Sequence, residues 1–115
     1  MKEKPIVDID TCVVDELAML PSNTFGYAYA DFMRRNGITS DTRAPVHYVN
    51  NAELAYIMKR YRHIHDFIHV LLDFDISVPD EIVVKWFEFA HFGLPMTALS
   101  AILRTTTNEI ACFIR

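Results

Sequence analysis

The chain has 115 residues, enough for one small domain around one core, with 51% apolar residues and a net charge of −4. That acidic balance argues against a nucleic-acid binder, which shows a basic patch. No apolar run reaches about 18 residues, so no transmembrane helix is predicted.

The apolar share and slightly positive mean hydropathy call for a deep core, an interface or a lipid-facing surface. Met1 to Pro5 has no apolar core of a signal peptide, and no arginine-rich transit peptide is visible. Cys12 and Cys112 stand near opposite ends, with no CxxC and no zinc-finger spacing. They read as reduced, buried thiols.

Three glycines and five prolines punctuate the chain, which favours helices over a many-stranded sheet. Residues 6–20 read as a first helix, with Val7, Val14, Leu17 and Leu20 as apolar spacing and Pro21 as its stop. Ile6-Val7 and Cys12-Val13-Val14 also have strand character. Residues 24–36 read as a second helix, capped by Asn23 or Thr24 and ended by Gly37. Residues 38–50 read as a connection, with turn chemistry at Thr39 to Thr42 and a short extended piece from Val46 to Val49.

Residues 51–72 make the strongest helical pattern, about 33 Å long and capped by Asn50 or Asn51. Leu54, Ile57, Met58, Tyr61, Ile64, Ile68 and Leu72 form its expected buried stripe. Lys59, His63, Asp66 and Asp73 fall away from that stripe, and His65 and His69 lie on its border. Ser77 caps the next helix, with Pro79, Asp80 and Glu81 in its first turn and Gly93 at its end. Ile82, Val83, Trp86, Phe87 and Ala90 are expected to face inward. Pro95 opens a last helix, expected over 95–104, because Thr105 to Thr107 have poor helix propensity.

The chemistry gathers in Arg60 to His69. His65 and His69 are four apart and stack one turn above each other. Asp66 precedes His69 by three and shares its side of the helix. Glu81 follows twelve residues later, at the start of the next helix. Two imidazoles and two carboxylates from two helices make a first shell for a divalent metal. The plainer reading is a surface salt bridge from Asp66 to Arg62, a dipole-favoured acid at Glu81 and hydrogen-bonded histidines. Asp80 offers a second first-turn acid. His63, about 200° from His65, reads as a surface residue. Glu88 is two turns along the same face as Glu81 and could reach the site, and its plainer reading is a solvated or structural acid. His47 and His91 have no spacing argument. GxGxxG, P-loop, GxSxG and HExxH motifs are absent. A phosphate-ester hydrolase lacks the second acidic cluster that a two-metal site needs.

Several separated motifs together resemble the coenzyme Q (ubiquinone) biosynthesis protein four family. They are Leu20-Pro21-x-x-Thr24-Phe25-Gly26, Asp41-Thr42-Arg43-x-Pro45, Glu53-Leu54-Ala55-Tyr56, His65-Asp66-x-x-His69, Glu81-Ile82-x-x-Lys85-Trp86-Phe87-Glu88 and Gly93-Leu94-Pro95-Met96. The hallmark is His-Asp-x-x-His, eleven residues, then Glu, and Val70 to Asp80 supply the eleven. The resemblance covers about residues 6–103. It implies an all-α fold, read here as one small helical domain over 1–115 with a metal site between two helices. It implies His65, Asp66, His69 and Glu81 as metal ligands through which catalysis runs, with zinc as the first expectation and iron as the alternative.

It also implies metal-dependent C1 decarboxylation and hydroxylation of the prenylated ubiquinone precursor. The alternative is a non-catalytic lipid-binding scaffold for the ubiquinone biosynthetic complex. The partners implied are the other ubiquinone biosynthesis proteins and the matrix face of the mitochondrial inner membrane, held peripherally. Members of the family usually carry Gly where this chain has Asp80. They also extend further, so the chain reads as a truncated member with a divergent tail over 104–115. An apolar face left bare would favour a homodimer.

Overall fold

The computed structural model describes residues 4, 5, 7, 13–39, 46, 47 and 49–113, with side chains as far as 106. All regular structure among them is helical: α1 Val14–Leu17, α2 Phe25–Asn36, α3 Ala52–Leu72, α4 Val78–Phe92 and α5 Pro95–Phe113. The all-α expectation holds. The chain divides into two compact units, residues 1–71 and 72–115.

In the first unit, α1 is one turn, not the helix expected over 6–20. Val7 is outside any helix, Val13 is extended (φ −73°, ψ 102°), and no side chain caps α1. The β-branched Val13-Val14 pair and the missing cap cut the helix short. Residues 6 and 8–12 lie outside the described residues. The helix α2 keeps its expected ends. Thr24 Oγ1 accepts the Tyr27 N–H at 3.3 Å, and its O–H donates to the Pro21 carbonyl at 2.7 Å. Gly37 is left-handed at φ +62°. Its N–H reaches the Arg34 carbonyl while that of Ile38 reaches Met33, which closes the helix in a Schellman motif.

Tyr29, Phe32 and Met33 of α2 form a buried cluster packed by Val14, Leu17, Ile38, Phe67 and Val70. Phe67 of α3 meets Phe25 and Tyr29 edge-on, at ring separations of 5.7 and 4.9 Å. Such geometry suits the aromatic quadrupole. Asn51 Oδ1 caps α3 by accepting the N–H groups of Glu53 and Leu54. Two contacts bring the N-terminal segment onto α3. The Tyr56 hydroxyl donates to the Pro5 carbonyl at 2.9 Å, and the Val7 N–H donates to His63 Nδ1 at 3.3 Å.

His63 is therefore buried, not a surface residue. A neutral imidazole can accept a backbone N–H, so burial costs it little. Asp66, expected away from the buried stripe, is buried too, while Leu54 and Ile57 of that stripe are exposed. Among residues 38–50, those described carry no regular structure, and the turn residues 40–45 lie outside the described set.

In the second unit, Ser77 caps α4 through the Asp80 N–H. Asp80 Oδ2 in turn accepts the Ser77 hydroxyl at 2.7 Å and the Asp75 N–H at 3.3 Å. Gly93, left-handed at φ +62°, sends its N–H to the Phe89 carbonyl and ends α4. The helices α4 and α5 pack on each other. Val84 and Glu88 on α4, and Thr97 and Ala101 on α5, are fully buried. Each pair is four apart, so each helix buries one narrow strip. Val83, Trp86 and Ala90, expected inside, are exposed, whereas Glu88 is buried and takes the structural of its two expected roles. The helix α5 also runs past 104 to Phe113. Thr105 and Thr106 donate their hydroxyls back to carbonyls of Ala101 and Ile102, so these poor formers satisfy themselves within the helix. The side chains of Cys12 and Cys112 lie outside the described residues.

Candidate metal centre

The spacing of His65 and His69 on α3 does what the sequence predicts. Their Nε2 atoms face each other at 3.3 Å, with ring planes at 89°. A tetrahedral ion bonded to two nitrogens at about 2.0–2.1 Å separates them by roughly 3.3–3.4 Å. The imidazole pair thus already has the edge of a tetrahedral shell. Both rings are buried, His69 at 2% exposure. Phe32 of α2 lies against His69, 5.7 Å between ring centres and 26° between planes, and backs it from the core side.

His65, His69 and Glu81 form a group that can hold a metal ion. Each offers one ligand atom. Two borderline nitrogen donors and one carboxylate oxygen are the donor chemistry of zinc and iron sites, so the residues fit a divalent ion. The helix ends favour the same charges. His69 stands in the last turn of α3, where a cation is stabilised. Glu81 stands in the first turn of α4, where a carboxylate is stabilised.

Asp66 is buried one residue after His65 but does not belong to that three-residue group. Asp80 is engaged in the cap of α4, which accounts for its acid without a ligand role. His47 is exposed. His91 is exposed and stacks on Phe87 at 4.0 Å, its Nδ1 3.2 Å from the Phe87 carbonyl oxygen.

One feature escaped the sequence reading. Glu88, fully buried, takes Lys85 Nζ at 3.0 Å, and the same ammonium lies 3.7 Å from Glu81. The i, i+4, i+7 order Glu81, Lys85, Glu88 on one helix was the signal that could have found it.

The arrangement defines an all-α protein with a buried pair of imidazoles poised for a divalent ion. The family model of the coenzyme Q (ubiquinone) biosynthesis protein Coq4 matches residues 1–112, and the chain belongs to that family. The match passes residue 103, where the recognisable motifs stop. A mitochondrial ubiquinone biosynthesis protein of Coprinopsis cinerea is 47% identical over 102 residues, 89% of this chain and 35% of that protein. A second homologue of that protein from Paramecium tetraurelia is 50% identical over 103 residues, 90% of this chain and 49% of that one. The Bos taurus homologue is 45% identical over 102 residues, 89% of this chain and 38% of that one. The chain thus spans between about a third and a half of the length of these relatives. No solved structure matches it.

Proposed function

We propose that this chain carries the metal centre of a ubiquinone biosynthesis enzyme, one that removes the C1 carboxylate of the prenylated ring precursor. The observation that carries the reading is the approach of His65 Nε2 and His69 Nε2 to 3.3 Å, with Glu81 as the third donor. With both Nε2 atoms given to an ion, each imidazole keeps its proton on Nδ1. Asp66 is the fourth proposed ligand, or else the carboxylate that accepts one of those Nδ1 protons. Zinc is the proposed metal and iron its alternative. A divalent ion held there would supply Lewis acidity to the carboxylate or adjacent phenol oxygen of the substrate. In the decarboxylation the C1–carboxylate bond breaks, CO2 leaves, and its electron pair stays on the ring. Hydroxylation of the vacated carbon is a two-electron oxidation that needs an external peroxide, or dioxygen together with an external two-electron reductant, so that one oxygen atom enters the ring and the other leaves as water.

Glu81→Gln tests the reading, because it keeps size and removes one ligand charge. Cells lacking their own family member would receive this chain, and in parallel a full-length relative carrying the matching substitution. Ubiquinone yield should fall by roughly tenfold to a hundredfold, the range seen when metal-site support is lost. Association with the other biosynthesis proteins should persist. Undiminished ubiquinone would sink the catalytic role.

The second reading is a lipid-binding scaffold, favoured by the exposed apolar side chains of the second unit. Trp86, Phe89, Phe92, Met96, Leu99, Ile102 and Leu103 are all exposed. No helix among the described residues is long and apolar enough to cross a membrane. The relatives named above are called mitochondrial, and a peripheral place on the matrix side of the inner membrane is proposed for this chain. Leu99 and Leu103 are four apart on α5 and more than half exposed. Replacing both with Ser should lower partition onto phosphatidylcholine vesicles containing anionic lipid by about tenfold or more, given roughly 1.5–3 kcal/mol per buried leucine. Equal partition in a sedimentation assay would remove α5 from the lipid-facing surface.

A further inference from the structure

We infer that Lys85 is a built-in rival of the metal for Glu81, and that Glu88 sets how strongly it competes. The inference rests on the metal reading of Glu81 given above. Glu81, Lys85 and Glu88 share one face of α4. Lys85 Nζ lies 3.0 Å from Glu88 Oε2 and 3.7 Å from Glu81 Oε1. The side chains of Lys85 and Glu81 are 13% and 14% exposed, and that of Glu88 is 0%. Water screens such charges far less than it screens surface pairs.

A fully buried carboxylate is costly unless a cation faces it. Glu88 therefore holds the ammonium, as the shorter contact records. Glu81 has the longer contact and is the partner that yields. A divalent ion and an ammonium cannot both take the full charge of one carboxylate. When Glu81 turns to a metal, Lys85 retains Glu88, and no buried charge is stranded. With Glu88 neutralised, the ammonium leans on Glu81 instead, and its release becomes harder. Glu88 is thus a positioning residue that acts on the metal ligand through Lys85.

A merely structural ion cluster predicts different signs. Breaking it from either side would loosen α4 and weaken metal binding in both cases. The rivalry predicts opposite shifts. The experiment is the zinc affinity of the purified chain, read by competition with a chromogenic chelator, with His69→Ala as the control for the site. Lys85→Met should bind zinc more tightly, and Glu88→Gln more weakly, each on the order of tenfold for one partly screened charge. The paired variant K85M/E88Q should fall between the two and be no weaker than the unmodified chain. Weakening in Lys85→Met, or no change in either variant, overturns the inference.

Circular dichroism identifies a single variant that fails to fold. The paired variant then decides, since a neutral pair of similar volume is the best tolerated replacement for a buried ion pair. Zinc binding tenfold weaker than that of the unmodified chain would overturn the inference there too. An unmodified chain that binds no zinc, or a His69→Ala chain that binds as well, fells the metal reading and this inference together. A site that passes that control but shifts one way in both variants sinks the rivalry alone.

Discussion

On the metal reading proposed above, a His69→Ala chain should no longer hold zinc. Zinc affinity should drop by more than about a hundredfold, since even outer partners of a metal site are worth tenfold to a hundredfold. His69 contributes one of two Nε2 atoms held 3.3 Å apart, and alanine leaves no donor in its place. Metal content after purification, followed by chelator competition, checks the result, and retained zinc would show that the imidazole pair is a hydrogen-bonded core feature. Asp66→Asn is the informative comparison. A direct ligand loses as much as His69→Ala does, whereas an acceptor for a ring N–H loses only the smaller outer-partner share.

The second large effect is on stability. Phe32 is 2% exposed, packs with Tyr29 and Met33, and lies against the His69 ring. Phe32→Ala removes that packing and leaves a cavity, at a cost of about 3–5 kcal/mol. For a small domain with about 5–15 kcal/mol in total, that is a large share. Phe32→Leu should cost much less, because it keeps most of the volume. Chemical denaturation measures both. A Phe32→Ala loss below about 1 kcal/mol would mean that the cluster repacks and that Phe32 does not hold His69. The same variant should weaken zinc binding, because a ring without its backing samples more orientations.

The ends of the helices were legible because local chemistry sets them. Thr24, Asn51 and Ser77 cap with their own side chains, and Gly37 and Gly93 adopt the left-handed turn expected of them. The approach of His65 and His69 was legible for the same reason: four residues make about one helical turn. The buried faces of α3 and α4 were not legible. Periodicity assigns the apolar side of a helix to the interior, yet His63, Asp66 and Glu88 are buried while Ile57, Val83 and Trp86 are exposed. A polar interior forms only where each buried group finds a partner, as His63 finds the Val7 amide and Glu88 finds Lys85. Those partners come from folding or from i, i+3 geometry that hydropathy does not read. The length of α5 was not legible because helix propensity does not count the hydroxyl-to-carbonyl bonds of Thr105 and Thr106 within the helix.

The exposed apolar faces of α4 and α5 also shape the thermodynamics of the chain. The heat capacity of unfolding comes from apolar surface that becomes wet only on melting, and it usually amounts to about 12–15 cal/mol/K per residue. Trp86, Phe92, Leu99 and Leu103 are already about half exposed, so they add less to it than fully buried side chains would. A smaller increment flattens the curve of stability against temperature. Covering those faces with lipid would restore the missing increment, and with it the ordinary curvature of a fully packed domain.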